Sequence, residues 1–174
     1  TGAVEIKSGY GLNTENELKM LRVIKRIKET APIPVKASFL GAHTYPLEFR
    51  ENHDGYINQI IDEMLPIIAK EQLADYIDVF CEEGFFSVAE AKRICEAGIA
   101  YGLKPKIHAN HLNASGGLEL GVKLGAISVD HLETMNDSAI NALCQSNTIG
   151  TLLPTAAFFL RMPYQPARTL INAN

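Results

Sequence analysis

The chain has 174 residues and a mass of 19.1 kDa, 47% hydrophobic and 21% charged, a balance that allows a buried core and excludes a disordered or fibrous chain. Sixteen basic against 20 acidic residues give a formal net charge of -4, with no Lys/Arg run, which argues against nucleic acid or an anionic membrane surface as a partner. The longest apolar stretches, 149–154 and 156–160, fall far short of the roughly 18 residues of a membrane-spanning helix, and Cys81, Cys95 and Cys144 form no CxxC pair, which fits a soluble chain in a reducing cytoplasm.

Thr1-Gly2-Ala3-Val4 already reads as the run-up to a strand, so the start is expected to be internal to a longer sequence. Val4 to Ser8 alternates and breaks at Gly9-Tyr10-Gly11, a strand entering a glycine-bracketed loop. Thr14-Glu15-Asn16-Glu17 has the spacing of a capping box, and Leu18, Leu21, Ile24 and Ile27 then mark one helix face until Pro32 and Pro34. A second strand, Val35 to Leu40, leads to Gly41-Ala42-His43, and the next helix carries Ile57, Ile60, Ile61, Met64, Leu65 and Ile68, with Pro66 expected to bend it. The third strand, Tyr76 to Cys81, ends at Glu82-Glu83-Gly84, and Ser87-Val88-Ala89-Glu90 is a second capping box opening a helix that reaches about Gly102.

Lys104 to His108 predicts a fourth strand, ending in Ala109-Asn110-His111, followed by a short helix with Leu118, Val122 and Leu124 that Gly125 closes. Ala126 to Asp130 predicts a fifth, ended by His131. Asn136 or Asp137 then caps a helix with Ile140 and Leu143 inward, Thr148 to Leu153 makes a sixth strand stopped by Pro154, and Ala167 to Asn174 begins another helix.

Six strands alternating with five complete helices, without a hairpin signal, call for an α/β fold of parallel strands with right-handed crossovers. Gly9-Tyr10-Gly11 lacks the third glycine of a dinucleotide fingerprint, which disfavours an open nucleotide-binding sheet. A closed (β/α)8 barrel needs eight strands and about 250 residues. Residues 1–174 therefore read as part of a single barrel, about six of its eight strands, lacking the first and the last.

Four of the five histidines, His43, His108, His111 and His131, fall at or just past strand C-termini, the face on which parallel α/β folds bind ligands. One such histidine could simply cap a strand through a backbone hydrogen bond; four together suggest a site. His53, beside Asp54 and Gly55, reads as a solvated surface residue. Imidazoles from strand ends suit a catalytic zinc or iron ion with a position left for water. Such water is acidified toward neutrality, which suits hydrolysis at an amide or amidine carbon, with an unligated histidine moving protons.

Glu5-Ile6-Lys7-Ser8-Gly9-Tyr10-Gly11-Leu12, Phe39-Leu40-Gly41-Ala42-His43, Asp78-Val79-Phe80-Cys81-Glu82, Lys106-Ile107-His108-Ala109 and Ser128-Val129-Asp130-His131-Leu132-Glu133 closely resemble, in order and over essentially the whole chain, the imidazolonepropionases of the amidohydrolase superfamily. The resemblance implies a (β/α)8 metal-dependent hydrolase opening the cyclic amide of 4-imidazolone-5-propanoate to N-formimidoyl-L-glutamate in histidine degradation, with one zinc or iron ion. It implies a small-molecule substrate, no nucleic-acid or membrane partner and, as an option, a homodimer. By position, His108 resembles the metal-ligating histidine, and His131 the histidine that shuttles a proton. Tyr10 and His43 resemble substrate-contacting residues. His111 stands where the family usually has Glu or Gln in contact with the substrate ring; an imidazole can replace Gln in a hydrogen bond but is no carboxylate base. Binding the ring less well, or yielding the contact to Asn110, are alternatives.

The third strand ends without the lysine that bridges two metals in some relatives, so one metal is expected. Glu82 is expected to support the site rather than ligate, Lys7 to form a salt bridge, and Arg161 either to hold a substrate carboxylate or to lie in a solvated loop. The family's first-strand HxH pair and its propanoate-binding Arg would lie before Thr1 and its last ligating Asp past Asn174, so this stretch is expected to be inactive alone. The rival readings are a related deaminase of a cyclic amidine and a non-catalytic metabolite-binding barrel.

Overall fold

The structure, a computed structural model, describes residues 1–173. Chain contacts gather them into two compact units, Thr1–Val79 with Arg93–Lys104, and Phe80–Lys92 with the residues from Pro105 onward. Among the described residues no helix is long and apolar enough to cross a membrane.

The first unit opens with β1 (Val4–Lys7), α1 (Thr14–Thr30) and β2 (Val35–Ala42). β1 runs parallel to β2 with Val4 beside Val35 and Lys7 beside Ser38, and β2 runs parallel to the start of β3 (Tyr76–Cys81), with Phe39 beside Ile77. A 3-10 turn at Leu47–Phe49 leads into α2 (His53–Asn58), a π-helical stretch at Gln59–Met64 and α3 (Leu65–Glu71). At Pro66, where a bend was expected, the chain has a π stretch just ahead of a proline that offers no N–H to an α-helical ladder. Leu18, Leu21 and Ile24 of α1, Phe39, Tyr56, Ile57, Ile60, Met64, Leu65, Ile68 and Ile77 fill the core; Ile27, expected on the same face, is 40% exposed one turn past the covered part of α1. Lys7 donates to Glu5 and, at 2.8 Å, to Asp78, whose side chain is fully buried.

The second unit contains the end of β3, the first part of α4 (Val88–Ala100), β4 (Lys104–Ala109), α5 (Gly117–Lys123), β5 (Ser128–His131), α6 (Asp137–Cys144), β6 (Ile149–Leu152), α7 (Pro154–Leu160) and α8 (Ala167–Ala173). β4, β5 and β6 are parallel and in chain order, with His108 beside Asp130, Ala109 beside His131 and His131 beside Leu152. Phe86, Ile107, Leu118, Val129, Leu132, Ala139 and Ala157 are fully buried. Pro154, expected to stop the sixth strand, also opens α7, with its missing N–H costing nothing in the first turn. Asn174, the last expected helical position, lies outside the described residues.

The two capping boxes differ. At the second, Ser87 N–H donates to Glu90 Oε2 at 2.7 Å and Glu90 N–H to Ser87 Oγ at 3.3 Å, the reciprocal pair the spacing predicts. At the first, the cap is Asn13, whose Oδ1 accepts from Asn16 N–H at 2.9 Å. Glu17 is fully buried and bonds instead to amides of the loop ahead of the helix.

Candidate active site

In the first unit the loop after β1 is drawn tight. Gly9 has φ +111°, and a Cβ there would meet the Leu40 carbonyl oxygen at 2.6 Å; a Cβ at Gly11 would meet the Glu17 amide nitrogen at 2.5 Å. Only glycine fits either position. Between them Tyr10 stands 74% exposed. Its ring meets His43, the residue after β2, edge to face at 5.1 Å. His43 Nδ1 lies 3.3 Å from the Gly9 carbonyl oxygen. A carbonyl can only accept, so Nδ1 carries the proton in that contact and a neutral ring presents Nε2 as an acceptor.

Glu17 underlies this loop. Its Oε1 accepts from Gly11 N–H at 2.6 Å and more weakly from Gly9 and Leu12, and its Oε2 accepts from Gly9 N–H at 2.9 Å.

In the second unit the ends of β4 and β5 bring three histidines together. His108, inside β4, is 8% exposed, and its ring centroid lies 5.4 Å from that of His131. His111, just past β4, stacks on His131 with centroids 4.1 Å apart and planes 18° from parallel. Three non-glycine residues take positive φ at these strand ends: Asn110 at 56°, His131 at 94° and Leu132 at 64°. For residues bearing a Cβ, each such angle costs on the order of 1–3 kcal/mol and persists only where its surroundings enforce it. The enforcement is visible: Thr134 N–H donates to the Asn110 carbonyl at 2.7 Å, Asn110 Nδ2 to the Thr134 carbonyl at 2.8 Å, and the Leu132 side chain is fully buried.

Two carboxylates flank the group. Glu82 accepts from the backbone N–H groups of His111, Leu112 and Asn113 at 2.6, 3.3 and 3.2 Å. Glu133, with a side chain only 2% exposed, accepts from Gln165 Nε2 at 2.6 Å and holds Oε2 3.5 Å from His131 Nδ1. Burial raises the Glu133 carboxyl above its ordinary pKa, against the opposing pull of its own backbone N–H, of His111 and of Gln165. The buried Nε2 of His111 and Oε2 of Glu133 have no hydrogen-bond partner among the described residues. One ligand atom each from His111, His131 and Glu133 lie within 4.8 Å of one another. Imidazole nitrogen with carboxylate oxygen is a donor set that zinc and iron accept, so the residues fit such an ion.

The sequence-predicted site residues therefore gather as Tyr10 with His43 in one unit, and His108 with His111 and His131 in the other. His53 is exposed, as expected, and stacks on Tyr45 at 3.7 Å. Arg161 is an exposed residue at the C-terminus of α7, with φ 56°. Sequence reasoning missed Glu17, assigning it to a helix cap, and Glu133, which lay within a quoted motif two residues past His131. Asn110 carried a readable signal, since Asn tolerates the left-handed region better than most residues.

No family model matches the chain. It is 58% identical over 173 residues to the imidazolonepropionase of Flavobacterium johnsoniae, covering 99% of this chain and 42% of that protein. It is 46% identical over 172 residues to that of Thermoanaerobacter pseudethanolicus, covering 99% of this chain and 41% of that one. The chain thus spans about two-fifths of the length of the curated relatives it matches. Among solved structures, guanine deaminase from C. acetobutylicum superposes with a TM-score of 0.70 at 16% identity, over 99% of this chain and 44% of that one. Arabidopsis ADAL superposes with a TM-score of 0.72 at 10% identity, over 98% and 53%. At such identities the likeness is one of fold alone, the parallel α/β architecture of part of a (β/α)8 barrel.

Proposed function

The chain belongs to the imidazolonepropionase family over the stretch it shares with these relatives, and from that premise we propose that its function is the metal-dependent hydrolysis of 4-imidazolone-5-propanoate to N-formimidoyl-L-glutamate, a cytoplasmic step of histidine degradation. The observation that supports this most is the gathering of His108, His111 and His131 at the ends of β4 and β5, in a chain 58% identical to an imidazolonepropionase.

In this reading His108, buried in β4, is a metal ligand. Zinc or iron, when bound, polarises the scissile carbonyl and makes water more acidic. His131 is the proton carrier. It takes a proton as water adds to the ring carbonyl carbon and returns it to the ring nitrogen as the C–N bond breaks, so that one water is consumed and no other group is released. Its Nδ1 lies 3.5 Å from the Glu133 carboxyl, so Nε2 is the nitrogen we propose for proton transfer.

His43 and Tyr10 bind substrate. With Nδ1 turned to the Gly9 carbonyl, a neutral His43 offers an acceptor to a ring N–H, and the exposed Tyr10 hydroxyl offers a donor. His111 supplies one hydrogen bond to the ring where relatives have Glu or Gln, and leaves base chemistry to His131.

The test is turnover of imidazolonepropanoate by the full-length protein, followed as substrate loss and N-formimidoyl-glutamate formation by mass spectrometry. Turnover is expected. Ammonia release from a purine or pyrimidine, with no reaction of the imidazolone, would replace this reading by the deaminase one.

A further inference from the structure

Two buried carboxylates in this chain do the same job at two separate loops. Glu17 is fully buried and accepts from the amides of Gly9, Gly11 and Leu12; Glu82 is 2% exposed and accepts from those of His111, Leu112 and Asn113. Each loop lies just past a strand and bears a residue assigned above to substrate, Tyr10 in one and His111 in the other. A carboxylate removed from water is costly unless hydrogen-bond donors replace the water, and here backbone N–H groups of a short loop segment do so. The exchange works in both directions. The donors satisfy the charge, and the charge fixes amides that no strand or helix holds.

Two other roles for these side chains fail. Glu17 has the spacing of a capping-box residue, yet Asn13 performs the cap, whereas Glu90, in the same position of the second box, does bond back to Ser87. Glu82 could have faced a metal, yet its Oε1 is engaged by the His111 and Leu112 amides and its Oε2 by that of Asn113.

We propose that Glu17 and Glu82 are positioning residues of the substrate site: each clamps three amides of one loop and thereby sets Tyr10, in the first case, and His111, in the second, for binding. The proposal rests on the assignment of Tyr10 and His111 to substrate, and it extends that assignment to two residues that touch no substrate.

The test uses the full-length enzyme and the isosteric variants Glu17→Gln and Glu82→Gln, with two readouts. Hydrogen exchange of peptides covering 9–12 should quicken in Glu17→Gln, and that of peptides covering 111–113 in Glu82→Gln, each leaving the other loop unchanged. KM should rise about 10-fold in each with kcat within about twofold, the pattern of lost binding rather than lost chemistry. In a Tyr10→Ala background Glu17→Gln should add nothing to KM, because the clamp acts through Tyr10. The same holds for Glu82→Gln in His111→Ala. If Tyr10→Ala raises KM while Glu17→Gln leaves both KM and exchange unchanged, the clamp is overturned and the substrate assignment stands. If exchange quickens but Tyr10→Ala leaves KM unchanged, the substrate assignment fails, and with it the positioning role. Should a Gln variant not fold, Glu17→Asp or Glu82→Asp, which keeps the charge but shortens its reach by one methylene, gives the same contrasts.

Discussion

The imidazole of His111 lies against that of His131, 4.1 Å from centroid to centroid and 18° from parallel. One face of His131 is thereby covered, while its Nδ1 looks toward Glu133 at 3.5 Å. A ring covered on one face, on a backbone set at φ 94°, is restricted before any substrate arrives, which suits the proton-carrying role proposed for it.

Replacing His131 with Asn or Phe in the full-length enzyme should lower kcat by about two to four decades, the usual worth of a positioned acid-base group. Bound metal should change little. Steady-state rates with elemental analysis of the same samples check both halves, and unchanged rates would remove His131 from the chemistry.

Gly9→Ala should destabilise the fold by about 1–3 kcal/mol, since φ +111° is costly for a residue with a Cβ and that Cβ would press on the Leu40 carbonyl oxygen at 2.6 Å. Urea unfolding would read this as a lower midpoint at an unchanged slope. Gly84→Ala, with φ +84° but nothing within 4 Å of its Cβ, should cost less, which separates backbone strain from collision.

Lys7→Met should leave Asp78 buried without its cation and cost about 2–4 kcal/mol at neutral pH, below the largest values for buried pairs because Lys7 keeps some contact with water. Although burial opposes it, Asp78 raises the Lys7 pKa above the ordinary lysine value. The pair's stabilisation is therefore fully present below pH of about 10 and lost as pH rises through the folded-state value. The wild-type protein should lose stability on that alkaline limb, and Lys7→Met should flatten it.

Asp75 gives the opposite limb. Partial burial alone would raise its pKa, but the Ala37 amide, Lys28 and Lys36 outweigh burial and lower it. Its contribution is present above pH of about 4 and lost as pH falls through the lower folded-state value. Asp75→Asn should weaken the fold at neutral pH and flatten its acid limb, as urea midpoints across the acid range would record.

Much of the fold was legible because its signals are local. Apolar spacing placed α1, the Ser87 box announced α4, and runs such as Tyr76–Cys81 marked strands at their true bounds. The histidines at strand ends were legible for the same reason, since in a parallel fold a strand's C-terminus already names the face. Elsewhere a local pattern served a distant partner. Glu17 has the spacing of a cap residue and is used by a loop six to eight residues upstream. The π stretch at Gln59–Met64 and the positive φ of His131 are imposed by packing and hydrogen bonds, and no composition signal encodes them. α7 was hidden by Pro154, which reads equally as a strand stop and as a helix start.

The most direct measurement of the central claim is metal content and imidazolonepropanoate turnover of the full-length protein, compared between wild type and His108→Ala. About one zinc or iron ion per wild-type chain is expected, with metal and turnover lost together in the variant. A His108→Ala protein that keeps its metal and hydrolyses the substrate at the wild-type rate would contradict it.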